Sequence, residues 1–209
     1  MASSPGQEAE VPALTGLVLA GGRGRRLGRD KAFLEVDGEA LVVRAARRLE
    51  RCCEEVLVAS GDGSRLGELA WEQVADAIAD GGPLAGILAG LERATTPLVA
   101  VVAVDLPYLH PAVLLRLAVA WRGEAAVVPL VSGRIQPLHG VYATAAAPRM
   151  RRLLLAGRRA VIAALSELGA RVLGEEGWAD LDPSGSFSTN INHPGDLDAL
   201  RSQPSSPHS

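Results

Sequence analysis

The residues with the most chemical reach lie in one glycine-rich stretch, Leu19-Ala20-Gly21-Gly22-Arg23-Gly24-Arg25-Arg26-Leu27-Gly28-Arg29-Asp30-Lys31. Glycines at 21, 22 and 24 let backbone amides approach an anion closely and adopt positive φ. Arg25 or Arg26, together with Lys31, adds the charge that a di- or triphosphate calls for. Lys31 stands out by count, since the 209-residue chain holds 20 arginines and this one lysine. A guanidinium does not replace a compact ammonium where a point charge must fit between phosphates. The bland alternatives are a tight loop of solvated arginines and a lysine left by chance. Further on, Asp105 follows an unbroken apolar run, Leu98 to Val104. A single carboxylate there suits Mg²⁺, which prefers oxygen ligands, keeps waters and is shared with substrate phosphates. The competing reading is a turn aspartate before Leu106-Pro107. Asn190 and Asn192 are the only asparagines, and two residues apart in extended chain they point to one face; a turn and helix start is the alternative there.

Two standard phosphate motifs do not fit the loop. A dinucleotide fingerprint beginning Gly22-x-Gly24 needs its third glycine at position 27, which is Leu27. A Walker A loop needs Gly-Lys followed by Ser or Thr, whereas Lys31 follows Asp30 and precedes Ala32.

The elements that must position these residues alternate. Gly16–Ala20, Val56–Ser60, Glu72–Ala75, Leu98–Val104, Ala125–Val131, Leu138–Ala143 and Arg171–Leu173 read as strands. Leu41–Cys53, Pro83–Ala94, Pro111–Trp121, Ala145–Leu155 and Ala160–Leu168 read as helices, with a short one after Pro194. Pro83 takes the favoured first helical position. Apolar strands between amphipathic helices predict an α/β fold with a largely parallel sheet and right-handed crossovers. In such sheets ligands bind at the carboxyl ends of strands, which directs attention to Ala20 onward, Ser60, Asp76 and Asp105.

Composition narrows the class. Hydrophobic residues make up 48% of the chain and charged residues 22%, which suits a substantial core and excludes a disordered or collagen-like chain. A net charge of −3 supplies no cationic field for nucleic acid or anionic lipid. The longest apolar run is far short of the roughly 20 residues that cross a bilayer. Cys52 and Cys53 are adjacent and offer neither a disulfide framework nor a spaced zinc site; both read as small hydrophobes on the inner side of a helix. The start lacks the charge and apolar centre of a secretory signal, which predicts a cytoplasmic protein. The expected organisation is a disordered tail over 1–14, a single domain over 15–201 and a disordered tail over 202–209.

The loop Leu-Ala-Gly-Gly-x-x-x-Arg-Leu-Gly-x-Asp-Lys resembles the signature of the sugar-nucleotide and cofactor nucleotidyltransferases. More specifically, the chain resembles the molybdenum cofactor guanylyltransferases, which join GMP from GTP to molybdopterin. The likeness continues through Gly82-Pro83-Leu84-Ala85-Gly86, Val104-Asp105-Leu106-Pro107-Tyr108, Gln136-Pro137-Leu138-His139-Gly140-Val141-Tyr142 and Asn190-Ile191-Asn192-His193-Pro194, spanning Leu17 to Leu200. It implies a three-layer α/β/α, Rossmann-like fold and an Mg²⁺-dependent enzyme. Its substrates would be GTP and molybdopterin, with transient contacts to other cofactor-biosynthesis proteins or acceptor apoenzymes. Lys31, Arg26 and Asp105 are then the expected catalytic residues, with Asp105 also the metal ligand. Leu19, Ala20, Gly21, Gly22, Gly24, Lys31, Asp76 and Asp105 bind nucleotide, and Asn190 and Asn192 lie on the pterin and second-metal side. Two departures stand out: Ala59 where the family often has Asn, and Gly24 where many relatives have Ser. His139 sits in its family segment and His110 at a helix start; as a lone histidine, His139 is a weak catalytic candidate. The alternatives are a cytidylyltransferase for the same pterin, a guanylyltransferase for another phosphorylated cofactor, and a non-catalytic nucleotide-binding protein.

Overall fold

The structure, a computed structural model, describes residues 11–21 and 30–191. Gly22, Gly24, Arg26 and Asn192, the helix expected after Pro194, and most of both expected tails lie outside the described residues. In chain order the described elements begin with β1 (Leu14–Leu19), β2 (Glu35–Val36), β3 (Glu39–Ala40), α1 (Leu41–Leu49), β4 (Glu55–Gly61), β5 (Glu72–Ala75) and α2 (Pro83–Arg93). They continue with β6 (Leu98–Ala103), α3 (Pro111–Ala120), β7 (Ala126–Val131), β8 (Arg134–Ile135), β9 (His139–Ala143), α4 (Ala147–Leu155), α5 (Val161–Leu168) and β10 (Arg171–Leu173).

The main sheet runs in the order β10-β7-β9-β6-β1-β4-β5, with β8 paired to β7. Strands β6, β1, β4 and β5 are parallel to one another, as are β7 and β10. β9 lies antiparallel between β6 and β7, a reversal the apolar pattern did not disclose. The side chains of each central strand alternate between two cores. Val18, Ala100 and Val102 face the layer of α1 and α3, while Leu17, Val99 and Val101 face α2, α4 and α5. Covered on both faces, β6 is buried along its whole length, which is why it reads as a continuous apolar run. The architecture is a three-layer α/β/α sandwich.

α2 presses closely onto the sheet. A Cβ at Gly90 would lie 2.4 Å from Leu17 Cδ2, so the glycine gives β1's leucine its place, and burying that side chain contributes about 2 kcal/mol.

Three local readings differ from expectation. α1 ends at Leu49, not at Cys53; the chain turns there so that the Glu54 amide bonds the Leu14 carbonyl (2.9 Å) and leads into β4. Cys52 and Cys53 therefore sit half-buried in that turn, not on an inner helical face, with their sulfurs 3.7 Å apart. β2 and β3 form a hairpin, absent from the sequence reading, about Asp37 (φ 56°) and Gly38 (φ 77°). Positive φ at both central residues is what a tight hairpin turn requires, and Asp-Gly is a preferred pair for it. α4 starts at Ala147 after a short 3₁₀ turn over Thr144–Ala146, with Pro148 in the helix's first turn.

Candidate active site

β1, β4, β5 and β6 point their carboxyl ends at one edge of the sheet, and β9, being reversed, begins there. A cavity of about 250 Å³ opens at this edge. One wall comes from the end of β1 (Leu19, Ala20, Gly21) and from Ala59 of β4; Asp76 follows β5, and Gly82, Pro83 and Gly86 come from the start of α2. The opposite wall holds Asp30, Lys31, Ala103, Val104 and Asp105, with Leu138 just before β9.

Lys31 begins a single 3₁₀ turn, Lys31–Phe33, capped by the Asp30 carboxylate, which accepts from the Ala32 amide at 3.1 Å. The ammonium Nζ lies 3.0 Å from Asp105 Oδ2 and donates to the Ile191 carbonyl, also at 3.0 Å. Ile191 returns its amide to the Asp105 carbonyl at 2.9 Å. The lysine that precedes the first helix and the carboxylate that follows β6 are thus held together by the far end of the described chain. Their side chains are 25% and 22% exposed, open enough to exchange partners with a ligand.

Asp76 is half-buried; burial raises its carboxyl pKa, and the nearby Arg65 guanidinium opposes the shift. Gly86 lies directly beside it on the same wall. A Cβ there would sit 3.1 Å from Leu19 Cδ2, 3.3 Å from Ala59 Cβ and 3.4 Å from Asp76 Oδ1, so a larger residue would intrude on the floor beside the carboxylate. Ala59 presents only a methyl group at that floor.

Of the residues singled out by sequence and described here, Leu19, Ala20, Gly21, Lys31, Asp76 and Asp105 all line this cavity. Asn190 does not; it is exposed, one residue before Ile191. His139 lies elsewhere, fully buried, with Nε2 accepting from the His110 amide at 3.2 Å and its ring 4.5 Å from that of Phe187. Burial pushes its pKa down to about 3, so it stays neutral and belongs to the core. His110 precedes α3 as its cap residue, as expected. Sequence reasoning missed Arg65, hidden among many arginines. It also missed Ile191, which contributes only backbone atoms and so has no side-chain signal. Among the described residues no three His, Cys, Asp or Glu side chains converge as a metal cluster. Three carboxylates line the cavity, those of Asp30, Asp76 and Asp105, without forming such a cluster. No helix among the described residues is long and apolar enough to cross a membrane.

Residues 16–198 match the MobA-like NTP transferase domain. The chain belongs to that family. This MobA-like chain is 35% identical over 189 residues to the molybdenum cofactor guanylyltransferase of Cereibacter sphaeroides, covering 88% of the chain and 93% of the relative. It is 37% identical over 164 residues to the molybdenum cofactor guanylyltransferase of Burkholderia ambifaria, with 72% and 80% covered. Its fold is similar to the crystal structure of molybdopterin-guanine dinucleotide biosynthesis protein A from Archaeoglobus fulgidus, with a TM-score of 0.79 and 26% identity over 89% of this chain and 96% of that one. As a MobA-like NTP transferase it is a nucleotidyltransferase.

Proposed function

We propose that the protein transfers GMP from GTP to the terminal phosphate of molybdopterin, releasing pyrophosphate and forming the guanine dinucleotide cofactor. One observation carries the reading: the only lysine of the chain and the carboxylate that follows β6 face one cavity, 3.0 Å apart. The names of the relatives supply the nucleotide and the acceptor.

In this reading the attacking phosphate oxygen of the acceptor displaces pyrophosphate from the α-phosphorus of GTP. Both reactants are anions and the attacking oxygen is already ionised, so catalysis is in-line positioning plus charge neutralisation, with no general base. Lys31 turns from Asp105 toward the phosphates and stabilises charge on the departing pyrophosphate. Arg26 and the loop glycines 22 and 24, which lie outside the described residues, are assigned to the same anion on sequence alone. Asp105 is the residue that would hold Mg²⁺. With the Asp30 carboxylate engaged as the cap of the 3₁₀ turn and Asp76 assigned to the base, Asp105 would be the one carboxylate offered to an ion that completes its shell with water and phosphate oxygens, and the bound ion would offset phosphate charge. The Asp76 carboxylate accepts from guanine N1–H and the exocyclic amine, a donor pair that cytosine lacks. With Ala59 unable to hydrogen-bond through its side chain, base recognition falls on Asp76 and the backbone of Leu19 to Gly21.

The test is incubation with Mg²⁺, molybdopterin and either GTP or CTP, following pyrophosphate and the mass of the dinucleotide. GTP should give both products, and EDTA should abolish them. Product with CTP alone would reassign the base, and no pyrophosphate with either nucleotide would favour a binding protein without catalysis.

A further inference from the structure

Arg65 lies in the loop between β4 and β5 and does not line the cavity, yet its guanidinium joins three segments that bound it. Nε donates to the Ser60 carbonyl at 2.9 Å; one terminal nitrogen donates to the Ala20 carbonyl just beyond β1, and the other pairs with the Asp30 carboxylate. The loop is shaped to deliver it. The β4–β5 register shifts between Ala59 and Gly61, and the Asp62 carboxylate then accepts from the amides of Ser64 (2.8 Å) and Arg65 (2.6 Å), folding the chain back toward the sheet.

Asp30 is used twice. Oδ1 caps the 3₁₀ turn at the Ala32 amide, while Oδ2 meets Arg65. The turn so fixed starts with Lys31, whose ammonium reaches Asp105 and Ile191. A planar guanidinium with five donors serves three acceptors in different directions; the single compact head of a lysine does not.

We infer that Arg65 is a positioning residue for the reaction: through Asp30 it aims Lys31 into the cavity, and through the Ala20 carbonyl it holds the facing wall. It does not line the cavity; its effect on kcat passes through Lys31, so in kcat its loss does not add to the loss of Lys31, while the wall it holds at Ala20 bears on KM for the nucleotide. The kinetic part of this inference rests on the guanylyl-transfer reading; the spectroscopic part does not.

Because Lys31 is the only lysine, labelling with ε-¹⁵N lysine gives one Nζ resonance that reports its surroundings directly. In the full chain without nucleotide, Arg65→Met, Arg65→Lys and Asp30→Ala should each shift or broaden that resonance while melting cooperatively. In pyrophosphate release, Arg65→Met should lower kcat by about tenfold or more, as misplacement of a charged group does. Arg65→Lys should not restore the rate, and KM for GTP should rise by less than kcat falls. Placed in a Lys31→Ala background, Arg65→Met should cost less than about twofold. An unmoved resonance in folded Arg65→Met, or the same kcat factor in both backgrounds, overturns the inference. If Arg65→Met does not fold, Asp30→Ala decides, an unmoved resonance there being fatal. A shifted resonance beside a wild type that releases no pyrophosphate keeps the positioning role and removes the transferase reading.

Discussion

Replacing Lys31 by alanine should damage turnover far more than folding, and the geometry sets both magnitudes. In the folded protein the ammonium's partners include, among the described residues, one carboxylate and one carbonyl, each at 3.0 Å. The pair is about a quarter exposed, so solvent screening limits its worth to about 0–1 kcal/mol. For a domain of this size that corresponds to a fall in Tm of about 2–4 °C at most. During reaction the same charge faces phosphate oxygens. Two unit charges about 4 Å apart at an effective dielectric near 20 interact by about 4 kcal/mol. If a third of that develops only in the transition state, about 1.4 kcal/mol is lost and kcat drops tenfold; if nearly all of it does, the drop approaches a thousandfold. Lys31→Arg should stay close to the alanine variant, because a planar fork does not reproduce a compact point charge. The assay is pyrophosphate release at saturating GTP with a thermal melt of the same preparations. Turnover within twofold of wild type in a folded Lys31→Ala protein would remove the lysine from the mechanism. A collapse of Tm by more than about 10 °C would show that its role is in the fold.

Two further expectations concern stability. Burial holds the His139 pKa near 3, against an ordinary value of 6.5, so the folded state binds that proton more weakly than the unfolded state. Its contribution is fully present above pH 6.5 and is lost as pH falls toward 3, at up to about 1.4 kcal/mol per pH unit. Urea unfolding at pH 7 and pH 5 should show a pH-dependent loss in wild type that is about 2 kcal/mol larger than in His139→Gln; equal losses would refute the assignment. Gly90→Ala places a methyl group 2.4 Å from Leu17 Cδ2. Overpacking of about 1–3 kcal/mol outweighs the roughly 1 kcal/mol gained in helix propensity. Leu17→Ala, which alone should cost about 2–5 kcal/mol, should cost clearly less in the Gly90→Ala background, and simple additivity would show that the two side chains do not compete for one space.

The legible parts of the molecule are those where burial leaves a pattern. β6 is apolar on both faces because helices cover both, and Pro83 announces the start of α2. Lys31 and Asp105 were readable because each breaks a local composition: one ammonium among guanidiniums, one carboxylate after an apolar strand. The Asp37-Gly38 hairpin carried a usable signal in its dipeptide, but strands of two residues have too little periodicity to draw attention. The direction of β9 was not readable, since a strand buried between neighbours has the same composition whichever way it runs. Arg65 was hidden for a different reason. Its importance comes from three acceptors that meet only after β1, β4 and the Asp30 turn have been assembled, and nothing in its neighbours along the chain records that meeting.

The hydrogen bond from Lys31 to the Ile191 carbonyl joins positions 160 residues apart. The residues that line the pocket lie between Leu19 and Leu138, yet the seat of its ammonium is completed from well beyond them, by Ile191. A chain that stops short of Ile191 has the strands that bound the pocket but no finished seat for the ammonium. That seat is complete only once residue 191 is in place, and any ligand that needs it rewards chains folded through that point over shorter ones.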